Sequence, residues 1–449
     1  MKIYINQNCY YEKYYVLNYV FQYIYDKKFE IEFHQENNIT VVLNRKKMVF
    51  PDLVFRQIGI EGYGKRLQTQ AFKKITFTSS RGETFDLPVF FYDFKNQFPD
   101  ENIGIDVFGT LFFFITNYEE LYIKKKDRYG RISAKDTLLY KYGLLEIPIC
   151  NVYLDFLYFL FLDNSLKLEK RVFIYDYRIS HDIDLPLKFR YKKVPELILR
   201  SFYLKIKHEV GFKKSFLSQI NLKRKTENDP YNTFKYIQTI SIKYGKNDYY
   251  YVIVGRDFFD ACHYNLNDNA ILDILRYIVK NGNFLGFHPT RLAAKKFFIL
   301  ESEFKKFLKL KNDLNIRDSN NRNRQHFLKF DIEKTVDYLE EIGVTEDSSL
   351  GYHDLPGFRS GICYPFPLFN HKKRRQSSII EYPLNVMDVT LLEYMNSYAQ
   401  DKKMKIVMNI IDQCKKYNGV FTLLWHNSNL INVNQRNAYE QILHYAALH

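Results

Sequence analysis

Five short segments in the C-terminal part of this sequence carry residue types capable of acid–base or metal chemistry. Each lies at the end of a strand-like apolar run or in the loop that follows it. In parallel barrels the active-site residues come from the carboxyl ends of the strands, so this placement predicts an enzyme. The segments are Ser-His-Asp-Ile-Asp-Leu-Pro at 180–186, Gly-Phe-His-Pro-Thr at 286–290, Arg-Gln-His at 324–326, Pro-Gly-Phe-Arg-Ser-Gly at 356–361 and Leu-Trp-His-Asn-Ser at 424–428.

The first segment holds two carboxylates that should point the same way. Side chains alternate between the faces of an extended strand, which places Asp182 and Asp184 on one face. Two such carboxylates repel unless a cation neutralises one of them. A divalent metal on one, with the other as a general base, would resolve this conflict. Carboxylate and imidazole ligands suit zinc, manganese, iron or cobalt. The alternative is a loop in which Asp184 caps a turn before Pro186 and Asp182 pairs with a lysine.

Three histidines are candidates for the remaining roles. His288 ends an apolar strand before Pro289, His326 lies in an Arg- and Asn-rich loop, and His426 ends the strand Val420–Trp425. Taken singly, each is a weak signal: a core histidine is the more common interpretation for His288, a surface histidine is the more common one for His326, and a core or capping role fits His426 as well as a catalytic one. Together with the two aspartates they predict a metal site and an acid–base pair.

Strands and helices alternate from about Arg171 onward, which favours a parallel sheet or a barrel. About seven repeats predict a deformed (β/α)7-type barrel over residues 166–449. Among its helices we predict one capped by Asp331 and one long helix over Leu391–Tyr417. Residues 1–165 predict a smaller mixed α/β domain without a Gly-rich phosphate loop. The predicted fold class is therefore α/β.

The composition fits a globular protein and excludes wholesale disorder. The 449 residues are 46% apolar and 26% charged, whereas disorder requires few apolar residues and a large charge imbalance. The net charge of +15 suggests a polyanionic partner such as nucleic acid, an acidic glycan or an anionic membrane surface. Twelve Lys and Arg but only two acids lie between Lys188 and Lys225, so the excess is regional. For this segment and the smaller cluster Lys372–Arg375, the alternative is a solvated helix face and a mobile loop.

The cysteines and the apolar runs together indicate a cytoplasmic protein. Five Cys residues are scattered without a CxxC pair, which argues against a disulfide framework or a Cys-type zinc site and favours buried small hydrophobic residues. The N-terminus lacks the apolar core of a signal peptide, and the longest apolar stretches fall short of a membrane span. We therefore expect a soluble intracellular protein without a transmembrane segment, for which peripheral membrane contact stays open.

The five segments resemble the motifs of the NodB-homology polysaccharide deacetylases, carbohydrate esterases that remove acetyl groups from N-acetylated sugars. The Ser-His-Asp-Ile-Asp segment is closest to the subgroup with a D-x-D motif. The resemblance implies that Asp182 is the general base and that Asp184 and His288 bind the metal. It further implies that Arg359 positions the base and that His426 is the general acid.

This resemblance covers about residues 171–449 and departs from the family at one position. The family motif has a second histidine four residues after the first, where this chain has Leu292. His326 is the best substitute for this third ligand and His181 the second; otherwise the metal is weakly held or absent. Asp388 is a looser match to the aspartate that orients the general acid.

The stretch before residue 165 resembles an uncharacterised domain often fused to such deacetylases, and it implies no known activity. The likeness lies in Asp-Val-Phe-Gly at 106–109, Asn-Tyr-Glu-Glu at 117–120 and Asp-Arg-Tyr-Gly-Arg at 127–131. Aromatic residues around the Arg359 loop could stack on sugar rings, although ordinary packing explains them equally well. These residues are Tyr352, Phe358, Tyr364 and Phe366.

These observations predict a metal-dependent deacetylase, with zinc as the favoured metal, acting on an N-acetylated sugar in glycan or cell-envelope polysaccharide metabolism. The basic segment after the Asp184 loop suggests a phosphate- or lipid-linked saccharide. Both amide and ester cleavage fit. Two alternatives stay open. One is a metal-free pseudoenzyme acting as a carbohydrate-binding module. The other, ranked last because no nucleic-acid motif is present, is a basic nucleic-acid-binding protein.

Overall fold

The computed structural model describes residues 1–70, 72–78, 84–93, 103–163, 168–207, 209–256 and 264–448. Its strands are β1 (Lys2–Ile5), β2 (Glu30–Phe33), β3 (Asn38–Leu43), β4 (Lys46–Pro51), β5 (Lys73–Thr78), β6 (Thr84–Val89), β7 (Asp176–Ile183), β8 (Tyr249–Ile253), β9 (Phe284–His288), β10 (Arg322–Asn323), β11 (Glu346–Asp347), β12 (Phe366–Asn370), β13 (Arg375–Glu381), β14 (Val386–Met387) and β15 (Val420–Leu424). Its α-helices are α1 (Tyr10–Leu17), α2 (Leu53–Glu61), α3 (Val107–Ile115), α4 (Leu138–Lys141), α5 (Ile149–Asp163), α6 (Val194–Ile206), α7 (Phe212–Arg224), α8 (Phe234–Lys243), α9 (Asn269–Lys280), α10 (Phe297–Asp313), α11 (Thr335–Ile342), α12 (Gln400–Lys416) and α13 (Val433–Ala447).

The chain folds into two compact units, each assembled from separate stretches of sequence. Unit 1 comprises Met1–Asp176, Phe330–Asn385 and Asp412–Phe421, and unit 2 comprises Tyr177–Lys329, Val386–Ile411 and Thr422–His449. The division into domains of residues 1–165 and 166–449 stays a prediction.

Unit 1 surrounds a helix that is apolar on every side. All residues of α3 are buried, as expected for a helix without a polar face. The Asp106 carboxylate caps α3, because its Oδ1 accepts the Gly109 N–H at 2.7 Å and its Oδ2 accepts the Leu53 and Val54 N–H groups. The sheets of unit 1 comprise four strands in the order β2-β1-β3-β4, the antiparallel pairs β5–β6 and β12–β13, and the parallel pair β13–β11.

Unit 2 is built on strands in the order β10-β9-β8-β7-β15-β14. The pairs β10–β9, β9–β8, β8–β7 and β15–β14 are parallel. Strands β8 and β9 are buried along almost their whole length, which is typical of a parallel sheet covered on both faces. Amphipathic α9 covers this sheet with Ile271, Ile274, Leu275 and Ile278 buried. The predicted mixed α/β architecture is confirmed.

Two helix predictions were wrong in detail. The predicted helix over Leu391–Tyr417 is interrupted: a π-helical turn spans Thr390–Tyr394, and α12 begins only at Gln400. Between them lie Asn396 and Ser397, whose side chains compete with the helical backbone.

Asp331 does not cap a helix, because α11 starts at Thr335. The Asp331 carboxylate instead accepts the Glu333 N–H at 3.1 Å, which closes a local turn. Within α11, Val336 and Leu339 are buried.

The described cysteines are free and buried, in agreement with the prediction that they act as small hydrophobic residues: Cys9, Cys150, Cys363 and Cys414. The fifth, Cys262, lies outside the described residues. Across the part of the chain that the structure describes, no helix combines the length and the apolar character that a membrane span requires.

Candidate metal and acid–base site

The candidate residues of unit 2 meet at the carboxyl ends of neighbouring parallel strands. Asp182 lies in β7 opposite Tyr251 of β8, and Asp184 follows immediately after the end of β7. His288 is the last residue of β9 and pairs with Ile253 at the end of β8. Because these strands run parallel, their carboxyl ends share one edge of the sheet, as the sequence predicts.

Three of these side chains form a cluster that could hold a metal ion. The ligand atoms of Asp184, His288 and His326 all lie within 4.8 Å of one another. Asp184 Oδ1 is 3.3 Å from His288 Nε2, and Asp184 Oδ2 is 3.4 Å from His326 Nε2. Zinc bonds of about 2.0–2.2 Å in a tetrahedron separate neighbouring donors by about 3.4 Å. One carboxylate and two imidazoles at these separations suit a divalent ion.

The orientation of His288 supports this interpretation. Its Nδ1 lies 2.6 Å from the Arg324 carbonyl oxygen, so Nδ1 carries the proton and Nε2 presents a lone pair. Both His288 Nε2 and Asp184 Oδ1 are buried and lack a hydrogen-bond partner. Buried polar atoms are normally satisfied, and a cation between these two atoms would satisfy both.

His326 reaches the cluster from an unusual turn. It begins the short 3-10 turn His326–Leu328, in which Phe327 and Leu328 adopt positive φ values of 60° and 53°. Such conformations are costly for bulky residues and concentrate at functional sites. Leu292, at the family's second-histidine position, precedes a separate 3-10 turn. The third candidate ligand therefore comes from the loop after β10.

Burial and nearby imidazoles act in opposite directions on Asp184. Burial alone would raise the pKa of this carboxyl, but His326, His288 and His426 outweigh it and hold the pKa well below its usual range. Asp184 is therefore ionised near neutral pH. Its side chain is 21% exposed whereas that of His288 is fully buried, so Asp184 is the more solvent-accessible of these two residues.

Asp182 faces the same cluster and has a buried cation beside it. Its Oδ2 lies 3.6 Å from His288 Nε2, and its Oδ1 lies 3.8 Å from Arg324 Nε. The Arg324 guanidinium is buried over the Tyr251 ring, 4.6 Å from the ring centroid. Gly286 makes this arrangement possible, because a Cβ at that position would lie 2.5 Å from the Tyr251 ring.

His426 forms a dyad with Asp388 at the other side of the cluster. His426 Nδ1 is 2.8 Å from Asp388 Oδ1, and its Nε2 is 3.6 Å from Asp184 Oδ2. Asp388 is fixed because it accepts hydrogen bonds from the Val389 N–H, the His426 N–H and the Asn429 amide. Burial lowers the pKa of His426, but Asp388 and Asp184 raise it by more, so the net pKa lies well above the usual value. The imidazole therefore carries a proton at neutral pH.

Arg359 is not part of this group of side chains. It lies in unit 1, where its Nε and Nη2 donate to the two Glu120 carboxylate oxygens at 2.8 and 2.7 Å. Its Nη1 donates to the Gly351 carbonyl at 3.1 Å. The arginine that does lie beside Asp182 is Arg324, which sequence reasoning missed. The available signal was alternation, because residues 324 and 326 of the Arg-Gln-His segment share one side of an extended chain.

His181, the second substitute for the third ligand, points away from the cluster. Its Nδ1 lies 2.6 Å from the Trp425 carbonyl oxygen, and its Nε2 lies 3.4 Å from Asp248 Oδ2. The ring packs on Tyr250 at a centroid distance of 4.9 Å. Strand alternation explains this outcome, since residue 181 faces opposite to residues 182 and 184.

The aromatic residues around the Arg359 loop are buried in unit 1. Tyr352, Phe358, Tyr364 and Phe366 are each at most 5% exposed. Their role in the described structure is ordinary packing, and none of them offers a ring face to solvent.

Comparison with known proteins adds a family match for the first part of the chain. A family described as "Family of unknown function (DUF7033)" matches residues 1–165. No curated protein matches the chain. One similar solved structure is "Crystal structure of putative polysaccharide deacetylase from Mycobacterium smegmatis", at 11% identity over 61% of this chain and 84% of that chain, with a TM-score of 0.40. A likeness at this level assigns no activity and no residue role.

Proposed function

We propose that the protein is a zinc-dependent hydrolase that removes the acetyl group from an N-acetylated sugar. The observation that carries the proposal is the convergence of Asp184, His288 and His326 at one sheet edge, with Asp182 and His426 beside them. Amide hydrolysis needs a polarised carbonyl, an activated water and a protonated leaving amine. The cluster offers a group for each requirement.

Asp184, His288 and His326 would hold the ion. When bound, a zinc ion would act as a Lewis acid that polarises the acetyl carbonyl and favours deprotonation of water. Two of these ligands are already in the form that binds a cation. The Arg324 carbonyl oxygen fixes the His288 tautomer, and Asp184 is ionised near neutral pH. The departure from the family pattern at Leu292 is then compensated by His326.

Asp182 would accept the proton of the attacking water. Its carboxylate lies beside the candidate ligand atoms, with Oδ2 3.6 Å from His288 Nε2, but it is not one of the three candidate ligands. Asp182 is therefore available as a base. Arg324 would position it through the contact at 3.8 Å. We therefore assign to Arg324 the positioning role that the family resemblance gives to Arg359.

His426 would donate a proton to the departing amine. The raised pKa keeps the imidazole protonated at neutral pH, and Asp388 fixes the ring so that Nε2 points toward the cluster. The base and the acid thus approach the cluster from different strands, β7 and β15. This separation allows one group to take a proton while the other gives one.

The proposal includes the fold type. The parallel strands of unit 2, each followed by a loop that carries a candidate residue, support a deformed barrel of the polysaccharide deacetylase kind within residues 166–449. The basic segment after Asp184 supports an anionic, phosphate- or lipid-linked form of the sugar substrate.

Acetate release tests the proposal. Purified protein supplied with zinc is incubated with a panel of N-acetylated saccharides, alongside the variants Asp182→Asn and His426→Ala. His444→Ala is the matched control, because His444 is exposed on α13. The proposal requires release by the wild type and the control and its loss in the two variants. Unchanged release by either variant overturns the assigned roles. A protein that neither binds zinc nor releases acetate contradicts the hydrolase proposal, and saccharide binding by that protein would then favour the metal-free carbohydrate-binding module.

A further inference from the structure

Unit 2 contains a helical hairpin that buries polar side chains and exposes apolar ones. This basic hairpin consists of α6 and α7, which directly follow the Asp184 loop. The buried positions between its two helices are largely polar: the Gln219 amide donates to Ser201 Oγ at 2.8 Å and to Ser215 Oγ at 3.2 Å. Leu197 is buried there as well, and the edge of the contact is closed by Phe202 and Phe212, whose ring centroids are 4.5 Å apart. An ordinary surface helix has the opposite arrangement, with apolar residues inside.

The outward side of α6 carries an apolar stripe. Leu199 is 73% exposed and Ile206 is 74% exposed, and Phe202 and Tyr203 between them are about half exposed. These positions follow the i, i+3, i+4, i+7 spacing of one helix face, and they lie opposite the buried Ser201. An apolar face of this kind in contact with water marks an interaction site.

Cations border the stripe on both sides. With 100° of rotation per residue, Arg200 and Lys207 flank it on one side and Lys205 on the other. The outward face of α7 is basic as well, with Lys213, Lys214 and Arg224 around the exposed Leu217. Within the described residues, none of these six cations lies within ion-pair distance of a carboxylate.

The second basic cluster differs from the hairpin because its cations have carboxylate partners within the fold. In unit 1, Lys372 and Lys373 pair with Asp337, Arg374 pairs with Glu12, and Arg375 pairs with Glu340. That cluster is neutralised within the fold. The wider segment Lys188–Lys225 has a local excess of ten positive charges, and the six outward-facing cations of the hairpin within it are available to an external partner.

We propose that the basic hairpin is a docking surface for an anionic lipid bilayer, with the α6 stripe inserted among the lipid chains at the headgroup boundary. A helix with a central apolar face and flanking cations lies in the plane of a membrane surface in this way. Anionic headgroups complement the cations. A nucleic acid would match the charge but leave Leu199 and Ile206 in water. Docking is independent of the proposed hydrolase activity.

Vesicle co-sedimentation of the full chain tests the docking surface. The probes are vesicles of phosphatidylcholine alone and vesicles with about 30% phosphatidylglycerol, at low and high salt. We expect binding to the anionic vesicles that is at least about tenfold tighter than to the neutral ones and weakens with salt. Leu199→Ser/Ile206→Ser and Lys213→Ala/Lys214→Ala should each reduce this binding by about tenfold or more.

Matched controls separate the hairpin from general surface effects. Phe298→Ser removes an exposed apolar residue of α10, and Lys402→Ala/Lys405→Ala removes exposed cations of α12. Both controls, and Asp182→Asn, should bind vesicles like the wild type. Equal binding to neutral and anionic vesicles, or equal losses in variants and controls, overturns the proposal. So does duplex DNA binding without vesicle binding, or a dimer that dissociates in Leu199→Ser/Ile206→Ser.

Discussion

A buried ion pair in unit 1 and the candidate cluster in unit 2 hold their charged groups in opposite ways. In unit 1, the Arg359 guanidinium and the Glu120 carboxylate form a closed pair with two hydrogen bonds of 2.8 and 2.7 Å. In unit 2, Asp184 meets His288 and His326 at 3.3 and 3.4 Å, where Asp184 Oδ1 and His288 Nε2 lack hydrogen bonds. The first arrangement has its hydrogen bonds satisfied internally, whereas the second has atoms that an added cation would satisfy.

This difference separates a structural charge from a functional one. A buried pair broken on one side leaves an uncompensated charge, so the Glu120–Arg359 pair should matter to folding. The side chains of Asp184, His288 and His326 converge without satisfying one another. Their substitution should therefore weaken ligand binding and change the free energy of unfolding little.

The largest expected effect is the loss of catalysis in Asp182→Asn. Removal of a general base lowers rates by roughly a hundred- to ten-thousandfold, and we expect acetate release to fall within this range. Urea unfolding should show little change, because the asparagine keeps the size of the side chain. Retained activity, or a large loss of stability without loss of activity, would contradict the assigned role.

Arg359→Met should act on stability and leave the cluster in unit 2 intact. We expect the free energy of unfolding to fall by about 3–5 kcal/mol, and the double variant with Glu120→Gln to recover part of this loss. Arg375→Met, which breaks a half-exposed pair with Glu340, should cost less than about 1 kcal/mol. If folded Arg359→Met binds zinc and keeps its stability but loses acetate release, Arg359 is the positioning arginine after all.

Arg324→Lys should lower kcat by about tenfold with little change in KM. Lysine keeps the charge beside Asp182 but loses the planar contact with the Tyr251 ring. Zinc content should be unchanged, because the Arg324 contact to His288 uses the backbone carbonyl. A drop in zinc content, or a change confined to KM, would contradict a positioning role.

The smallest expected effect is on the pH dependence of stability in unit 1. Burial raises the pKa of Glu119 to about 8, against the hydrogen bond from the Leu138 N–H and with a further contribution from Glu120. The folded pKa exceeds the unfolded one, so the neutral carboxyl stabilises the fold below about pH 4.5 and this stabilisation is lost as the pH rises toward 8.

Glu119→Gln should therefore flatten the decline in stability between pH 5 and pH 9. We compare the free energy of unfolding of the variant with that of the wild type at each pH. From pH 5 to pH 9 this difference should shift in favour of the variant by at least about 1 kcal/mol, or about 2–4 °C in melting temperature. Glu301→Gln, at an exposed position of α10, should leave the decline unchanged. Parallel pH curves for wild type and Glu119→Gln would show that Glu119 is ionised in the fold.

Much of the site could be predicted from the sequence because it depends on local order. Asp182, Asp184 and His288 lie at strand ends, and alternation within one strand separates His181 from its neighbours. The choice between Arg324 and Arg359 could not be made in this way. It depends on Glu120, which is 239 residues away in sequence from Arg359.

The fold shows the same limit. The apolar runs Tyr249–Val254 and Phe284–Phe287 predict strands that match β8 and β9 almost to the residue, whereas a solvated helix face was only an alternative for the segment that forms α6 and α7. Leu199 and Ile206 of α6 are exposed, whereas Ser201, Ser215 and Gln219 are buried, so the pattern does not indicate a helix packed on a core. The discontinuous units also depend on contacts between distant segments, which no local pattern contains.

Zinc titration of metal-free protein by calorimetry tests the proposed metal centre most directly. The wild type and the His444→Ala control should each bind one zinc ion per chain, and His326→Ala should lose more than about a hundredfold in affinity while its urea unfolding stays close to that of the wild type. Wild-type protein that binds no zinc, or His326→Ala that binds it as tightly as the control, would contradict a metal centre at Asp184, His288 and His326.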